Sequence, residues 1–227
     1  MRLPSDSSFV LCGLCGLCND PRDPMLPIAG EGPVPADIMF IGQAPGRVEQ
    51  RVGRPFQGPA GQQLDMVIHE CNLTRDEIYI TNVVKQRAED GGKDRKPTYA
   101  EMATCVPWLL TEFITVRPKV VVLFGETAQQ LAFPGLKPAQ AQGLIRAKGG
   151  ALWLATYHPA FILYRRDPEL RGYLVETVQR AARLVQEFGS SLELVPDALE
   201  LMPGVTSGAE TSSSRKETTA TATTSSA

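Results

Sequence analysis

Short apolar runs alternate with longer stretches of helical pattern from Asp37 onward, and this alternation constrains the fold more than any other feature. Strands that alternate with helices form parallel sheets covered by helices on both faces. We therefore expect an α/β protein, a three-layer α/β/α sandwich with a central parallel sheet of about four strands. The expected strands are residues 38–41, 78–81, 120–124 and 152–157, and the expected long helices are residues 60–71, one opening at Thr98, and residues 170–188.

The two ends of the chain differ in composition from this alternating part. Residues 1–36 are rich in Pro, Gly and Cys and have no periodicity, so we expect an irregular lead-in packed on the domain. Residues 37–190 form the expected α/β domain. Residues 191–227 form a C-terminal extension, and the Ser/Thr/Ala-rich composition from about residue 206 predicts disorder there.

The charge and hydropathy of the chain limit its partners. The formal net charge is -2, so contact with nucleic acid must come from local basic patches and not from a global field. No apolar run approaches the roughly 20 residues that span a bilayer, and the start of the chain is a poor signal peptide. We therefore expect a cytoplasmic monomer without a membrane partner.

Five cysteines occur in the chain, and three of them, Cys12, Cys15 and Cys18, stand in one short segment. Clustered cysteines in a reducing compartment favour metal binding over disulfide formation.

A long glycine-rich loop, residues 42–61, follows the first expected strand and precedes the first long helix. Glycine lets the backbone approach a ligand closely, and N–H groups at a helix start can receive oxygen atoms. Connections of this kind usually run about 2–6 residues. The length of the loop, and the single Phe56 among its turn residues, indicate a binding loop.

Ligands of open parallel sheets bind beyond the carboxyl ends of the strands. Phe56 lies in the loop after the first expected strand, Asn82 follows the second, and His158 follows the fourth. Each has a structural alternative, as a core ring, a turn residue or a strand cap. Their coincidence at one sheet edge favours a functional site. No Ser or Cys lies in a G-x-S-x-G elbow, so the site has no evident nucleophile.

Four ordered motifs carry a resemblance to a known family. They are Gly42-Gln43-Ala44-Pro45-Gly46, the GRPFQGPAG run at residues 53–61, the YITNVVK run at residues 79–85, and Tyr157-His158-Pro159-Ala160. With these motifs, the sequence resembles the uracil-DNA glycosylase superfamily, and specifically its iron–sulfur branch, family 4. The similarity runs from about Cys12 to Leu184.

The resemblance implies a monofunctional DNA glycosylase of base excision repair, which hydrolyses the N-glycosidic bond of deoxyuridine and leaves an abasic site. Uracil would leave the base stack and enter a pocket. Phe56 would stack on its ring, the Asn82 amide would read O4 and N3–H, and the backbone N–H of Ala44 would help hold the base. His158 would donate to O2 as negative charge builds there.

The resemblance also implies a DNA-contacting loop at residues 160–166. Leu163 would be the wedge that fills the gap left by the flipped base, and Arg165 and Arg166 would lie near phosphates. The basic segment from Lys85 to Lys96 is expected to be a solvated loop, with phosphate contact as the alternative.

Two positions depart from the family pattern. The family usually has Glu where this chain has Gln43, and a neutral amide can orient a water but cannot take its proton. Catalysis could then rely on leaving-group stabilisation with a positioned water, Glu49 could help, or activity could be reduced. The family's third cysteine ligand is replaced by Gln86.

The family's usual ligands for its 4Fe–4S cluster are a C-x-x-C pair, the position held here by Gln86, and a cysteine that matches Cys105. Either Cys12 and Cys15 or Cys15 and Cys18 fit the pair. The triplet could also supply three ligands, so that Cys12, Cys15, Cys18 and Cys105 would hold the cluster. The alternative is that the cluster has been lost and Cys105 is a core residue of an apolar helix face. Two other functions stay open: a weakly active or non-catalytic member that binds damaged or single-stranded DNA, and a glycosylase for another deaminated base.

Overall fold

The computed structural model describes residues 27–188, with a five-stranded sheet at its centre. Four strands run parallel, and one edge strand runs antiparallel to its neighbour. The strand order is β2-β1-β5-β7-β6, and a separate two-stranded hairpin is formed by β3 and β4. The strands are β1 (Ile38–Gly42), β2 (Ile78–Asn82), β3 (Glu89–Asp90), β4 (Lys93–Asp94), β5 (Val120–Phe124), β6 (Ile145–Lys148) and β7 (Ala151–Thr156).

Seven α-helices and a single 3-10 turn (Arg75–Glu77) connect these strands within the described residues. Three of the helices are long, and they occupy the segments where apolar residues recur at helical spacing. The helices are α1 (Arg47–Val52), α2 (Pro59–Glu70), α3 (Tyr99–Val116), α4 (Gly125–Gln129), α5 (Pro138–Ala141), α6 (Pro159–Arg165) and α7 (Pro168–Phe188).

Alternate residues of the parallel strands face two separate hydrophobic clusters, one on each side of the sheet. On one side, Met39 and Ile41 of β1 pack in the cluster that holds the apolar face of α3. On the other side, Ile38 and Phe40 of β1 pack in the cluster that holds α2 and α7. The predicted three-layer α/β/α sandwich is confirmed.

The register of the parallel strands brings their carboxyl ends to one edge. Gly42 at the end of β1 pairs with Asn82 at the end of β2, and Phe124 at the end of β5 pairs with Thr156 at the end of β7. The segments that leave these strands therefore start side by side, and they form the functional site described below.

Several elements differ from the sequence-based expectation, and helices α1 and α5 lie in segments where no helix was predicted. The antiparallel edge strand β6 was not predicted, because it is short and largely exposed and its pattern is not that of a buried strand. The charged segment after Asn82 contains the hairpin β3–β4. Residues 160–166 were expected to form a loop, but they belong to helix α6 and its C-cap Arg166, since Pro159 occupies the first helical position and His158 caps it.

None of the helices in the described part of the chain is long and apolar enough to cross a membrane. The expected C-terminal extension and most of the expected lead-in, including Cys12, Cys15 and Cys18, lie outside the described residues.

Candidate active site

Asn82 and Phe56 meet above the end of β1, at Gly42. A Cβ atom on Gly42 would lie 2.4 Å from Asn82 Oδ1 and 2.5 Å from Cζ of the Phe56 ring. Only glycine leaves room for both side chains at this point. Asn82 is 3% exposed, yet its side-chain amide makes no hydrogen bond within the described residues. A buried amide without partners is costly unless a ligand satisfies it.

The Phe56 ring forms one wall of the pocket. It lies edge-on to Phe124, with 6.0 Å between ring centroids, and nearly parallel to His158, with 5.9 Å between centroids and 22° between planes. Phe56 has a positive φ of 52°, a conformation that is uncommon for residues other than glycine. The predicted convergence of Phe56, Asn82 and His158 at one sheet edge is therefore present in the structure.

His158 is held as the cap of helix α6. Its Nδ1 accepts a hydrogen bond from the backbone N–H of Ala160 at 3.1 Å, so the neutral ring carries its proton on Nε2. Nε2 makes no hydrogen bond within the described residues. Burial lowers the pKa of His158 to about 4, and the negative charge of Glu49 opposes that shift. The ring is therefore neutral near pH 7 and presents one N–H donor.

Gln43 lies in the wall of the same cavity as His158. The Thr127 hydroxyl of helix α4 donates to Gln43 Oε1 at 2.8 Å. With its carbonyl oxygen engaged, the Gln43 amide offers mainly its NH₂ donors to a ligand or water. Thr127 could not be predicted from the sequence, because it meets Gln43 only in the folded chain.

Glu49 is 8% exposed, and its carboxylate braces the glycine-rich loop. Oε1 accepts from the N–H groups of Gln57 at 2.8 Å and Gly58 at 2.7 Å, and Oε2 accepts from the N–H of Gly46 at 3.1 Å. Through these three contacts, Glu49 shapes the loop around Phe56. Its charge also acts on His158, as noted above.

Lys85 corrects the expectation of a solvated basic segment, because its side chain is fully buried. Nζ donates to Thr81 Oγ1 at 2.7 Å, to the backbone carbonyl of Asn82 at 2.8 Å, and to Glu112 Oε2 at 2.6 Å. Glu112, on α3, is also fully buried. The pair fixes the backbone of Asn82 from beneath the pocket, and sequence reasoning missed Glu112.

Three other basic residues of this segment, Arg87, Arg95 and Lys96, are paired with acids. Arg95 forms a two-pronged contact with Glu101 at 2.6 and 2.8 Å. Arg87 pairs with Asp94, and Lys96 pairs with Glu126. This compensation of charge favours a structural role for the segment over phosphate binding.

The rim of the site is formed by helix α6. Leu163 is 38% exposed and Tyr164 is 89% exposed, and both line the cavity. Arg165 lies over the Phe161 ring at 5.4 Å and, like Arg166, is exposed at the end of the helix. Sequence reasoning singled out Leu163 but missed Tyr164, whose exposure follows from the helical geometry of α6.

The cavity between the loop and this rim has a volume of about 1040 Å³. Ala44 lies in its wall, and the backbone N–H of Ala44 makes no hydrogen bond within the described residues. The cavity therefore holds unsatisfied groups on several sides: the Asn82 amide, the His158 Nε2–H and the Ala44 N–H. Such a set suits a planar ligand with both donors and acceptors at its edge.

Two cysteines fall within the described residues. Cys105 is buried on α3 in the same cluster as Val83 and Val84, and Gln86 is 3% exposed. Cys71 is half-buried and its Sγ donates to the Val175 carbonyl. No three His, Cys, Asp or Glu residues between 27 and 188 are grouped to hold a metal ion.

Comparisons with known proteins found one matching family model and several relatives. The family model described as "Uracil DNA glycosylase superfamily" matches residues 29–182. The chain is 34% identical over 165 residues to a type-4 uracil-DNA glycosylase of Thermotoga maritima, covering 71% of this chain and 84% of the relative. It is 37% identical over 154 residues to the type-4 enzyme of Archaeoglobus fulgidus, covering 63% and 74%. A type-5 uracil-DNA glycosylase of Mycobacterium leprae is 31% identical over 158 residues, covering 59% and 67%.

Proposed function

The chain belongs to the uracil-DNA glycosylase superfamily, in its type-4 branch, and on that premise we propose that it excises uracil from DNA as a monofunctional glycosylase. The observation that carries the proposal is the buried Asn82 amide, which faces Phe56 across Gly42 and has no hydrogen-bond partner in the described part of the chain. An amide has a donor and an acceptor side by side. Uracil offers the complementary pair, O4 and N3–H, whereas cytosine offers the reverse polarity.

The base would enter the cavity after flipping out of the stack. Phe56 would supply the stacking face, and the free N–H of Ala44 would donate to the base edge. The cavity, at about 1040 Å³, is larger than a pyrimidine needs, so the attached sugar and phosphate have space at the rim.

His158 would stabilise the leaving group. As the C1′–N1 bond breaks, its electron pair moves onto the uracil ring, and negative charge accumulates at O2. The neutral imidazole can donate its Nε2–H to that oxygen without giving up the proton. A water would then form the new bond to C1′ and lose its proton, through solvent, to the departing uracil anion, leaving neutral uracil and an abasic site.

Gln43 would orient this water but could not deprotonate it. The hydroxyl of Thr127 occupies its carbonyl oxygen, so its NH₂ group would donate to the water oxygen. Glu49 would contribute through its charge and through the shape of the loop, because its carboxylate accepts three backbone N–H groups. Leaving-group stabilisation would then carry most of the rate enhancement.

The exposed helix α6 would contact DNA. Leu163 would enter the gap left by the flipped base, and Arg165 and Arg166, exposed at the end of the helix, would lie against phosphates. We propose that the protein acts on DNA as a monomer in the cytoplasm.

A 4Fe–4S cluster is the proposed cofactor, held by Cys12, Cys15, Cys18 and Cys105. Four thiolates match the number that such a cluster needs, and Cys105 is buried as a structural ligand would be. The segment at Ile28 lies next to Gln86, the position where the family's third cysteine ligand is replaced, because the N–H of Ile28 donates to the Lys85 carbonyl at 2.7 Å. The cluster would tie the lead-in to α3. We expect iron in anaerobically purified protein and in Cys71→Ser, and its loss in Cys105→Ser.

A single assay tests the function. Purified protein is incubated with end-labelled oligonucleotides that contain one uracil, in single-stranded and double-stranded form, and the DNA is then treated with alkali. Strand breaks at the uracil position only after alkali are the expected result. Breaks without alkali would contradict a monofunctional enzyme, and binding without breaks at high enzyme concentration would favour the non-catalytic alternative. Parallel oligonucleotides with hypoxanthine or xanthine separate uracil from other deaminated bases.

Two variants assign the roles within this assay. His158→Ala should lower the single-turnover rate by on the order of 10²–10³-fold, the usual cost of one donor to a developing negative charge. His69→Ala is the matched control, because His69 is exposed on α2 away from the site. Gln43→Glu should raise the rate if a carboxylate can take a proton from water. An unchanged rate would show that the rate depends on stabilisation of the leaving group and not on removal of a proton from the water.

A further inference from the structure

We propose that Arg75 is a positioning residue for the base-stacking ring, because its guanidinium holds the peptide of Phe56 in the conformation that aims the ring into the cavity. Arg75 lies on the 3-10 turn before β2, outside the cavity wall. The inference rests on the proposed function only in taking Phe56 as the stacking face for the base.

The conformation of Phe56 needs support. Its φ of 52° lies in the left-handed region, which costs an L-residue with a bulky side chain energy and persists only where the surroundings impose it. The ring is 5% exposed and lies between Phe124 and His158. A relaxed backbone at this residue would turn the ring away from these neighbours.

Arg75 supplies this support by donating hydrogen bonds to two consecutive backbone carbonyl groups. Nη2 donates to the Pro55 carbonyl at 2.7 Å, and Nη1 donates to the Phe56 carbonyl at 3.1 Å. The planar guanidinium matches this geometry, and a lysine ammonium does not. On the other side, a Cβ on Gly61 would lie 1.9 Å from the Phe56 carbonyl oxygen, so α2 presses against the same peptide.

Arg75 is itself fixed in place. Nη1 donates to Asp65 on α2 at 2.8 Å, and Nη2 lies 3.4 Å from Glu31. Thr74 and Glu77 close the turn that carries it, since the Thr74 N–H donates to Glu77 at 2.7 Å. The side chain is 23% exposed, which leaves it half-buried between α2 and the glycine-rich loop.

Arg54 offers a matched control. It donates to the same Glu31 carboxylate through Nε at 2.7 Å, and within the described residues it contacts neither the Pro55 nor the Phe56 carbonyl. Arg54→Met therefore removes an arginine and an ion pair of the loop itself without releasing the peptide of Phe56. Arg75→Lys keeps the charge near Asp65 but cannot hold both carbonyls.

The first measurement needs no substrate. Crystal structures of the wild type, Arg75→Met and Arg54→Met give the φ of Phe56 and the distance between the Phe56 and His158 rings. We expect both to change in Arg75→Met and to stay unchanged in Arg54→Met. An unchanged Phe56 in a folded Arg75→Met protein would overturn the proposal, whatever the activity. A displaced ring in a chain whose wild type excises no uracil would uphold the positioning role and reject the proposed function.

The second measurement is a double-mutant cycle of single-turnover uracil excision. Arg75→Met should lower the rate by on the order of 10²-fold, as misplacement of a positioned group can do, and Arg75→Lys should recover little of it. In a Phe56→Ala background the same Arg75→Met substitution should change the rate by about twofold or less, because no ring remains to be aimed. Equal losses in both backgrounds would overturn the proposal and indicate a general structural role.

Discussion

Glu112→Gln tests how strongly the buried ion pair of Lys85 and Glu112, which lies beneath the site, stabilises the fold. Four donors surround the Glu112 carboxylate. Oε1 accepts from the Gly30 N–H at 2.7 Å and the Trp108 indole at 3.2 Å, and Oε2 accepts from Thr81 at 2.8 Å and Lys85 at 2.6 Å. Glutamine has an NH₂ group in place of one carboxylate oxygen. The two donors on that side would then face another donor instead of an acceptor.

The expected loss follows from burial. The side chains of both Lys85 and Glu112 are 0% exposed, and removing one partner of such a pair costs about 3–5 kcal/mol, because the remaining charge stays uncompensated. For a chain of this size each kcal/mol lowers Tm by roughly 2–4 °C. The variant should therefore unfold roughly 6–20 °C below the wild type.

Thermal unfolding followed by circular dichroism measures this difference, and Glu70→Gln provides the comparison. Glu70 pairs with Arg171 at the surface, where the side chains are 44% and 39% exposed. An exposed pair contributes about 0–1 kcal/mol, so this variant should stay within about 4 °C of the wild type. If the two variants unfold at the same temperature, the charge at position 112 is not needed inside the protein, and the reasoning from burial fails.

Two further predictions concern the site itself. Gly42→Ala should lower the rate of uracil excision at least tenfold in a folded protein, because its Cβ would lie 2.4 Å from Asn82 Oδ1 and 2.5 Å from the Phe56 ring; wild-type single-turnover rates would contradict the described convergence. The pKa of His158 is lowered to about 4, whereas an unfolded histidine titrates near 6.5. Since the unfolded chain then binds the extra proton, stability should fall as the pH drops from about 6.5 to about 4 and level off below. Urea unfolding of the wild type should show this slope, and His158→Gln should lack it.

The sequence predicted the parallel part of the sheet because its strands are nearly continuous apolar runs, which few other structures require. It did not predict β6, because Ile145–Lys148 is exposed at the edge of the sheet and has no buried pattern. Helix α6 was expected to be a loop, although His158 and Pro159 carry the cap and first-position signals of a helix. Local signals of this kind are weak when the element is only two turns long.

The site was predictable where residues follow strand ends and was not where partners meet from distant segments. Phe56, Asn82 and His158 could be placed at one edge from the order of the strands. Thr127 and Arg75 contact Gln43 and Phe56 from distant segments, and Glu112 acts on Asn82 only through Lys85, so no local pattern points to any of the three. Lys85 was assigned to solvent because a lysine is almost never buried without a partner, and its partner lies on another element.

The cap of helix α6 links the protonation of His158 to the helix that would contact DNA, and a protein engineer would wish to change these two separately. The Ala160 N–H that begins the helix also fixes which nitrogen of His158 carries the proton. An exchange of residues 159–166 that places proline at position 160 or moves its backbone N–H would therefore also change which nitrogen of the imidazole carries the proton. Libraries that vary the rim should begin at Phe161, where the helix is exposed and the imidazole no longer depends on its backbone.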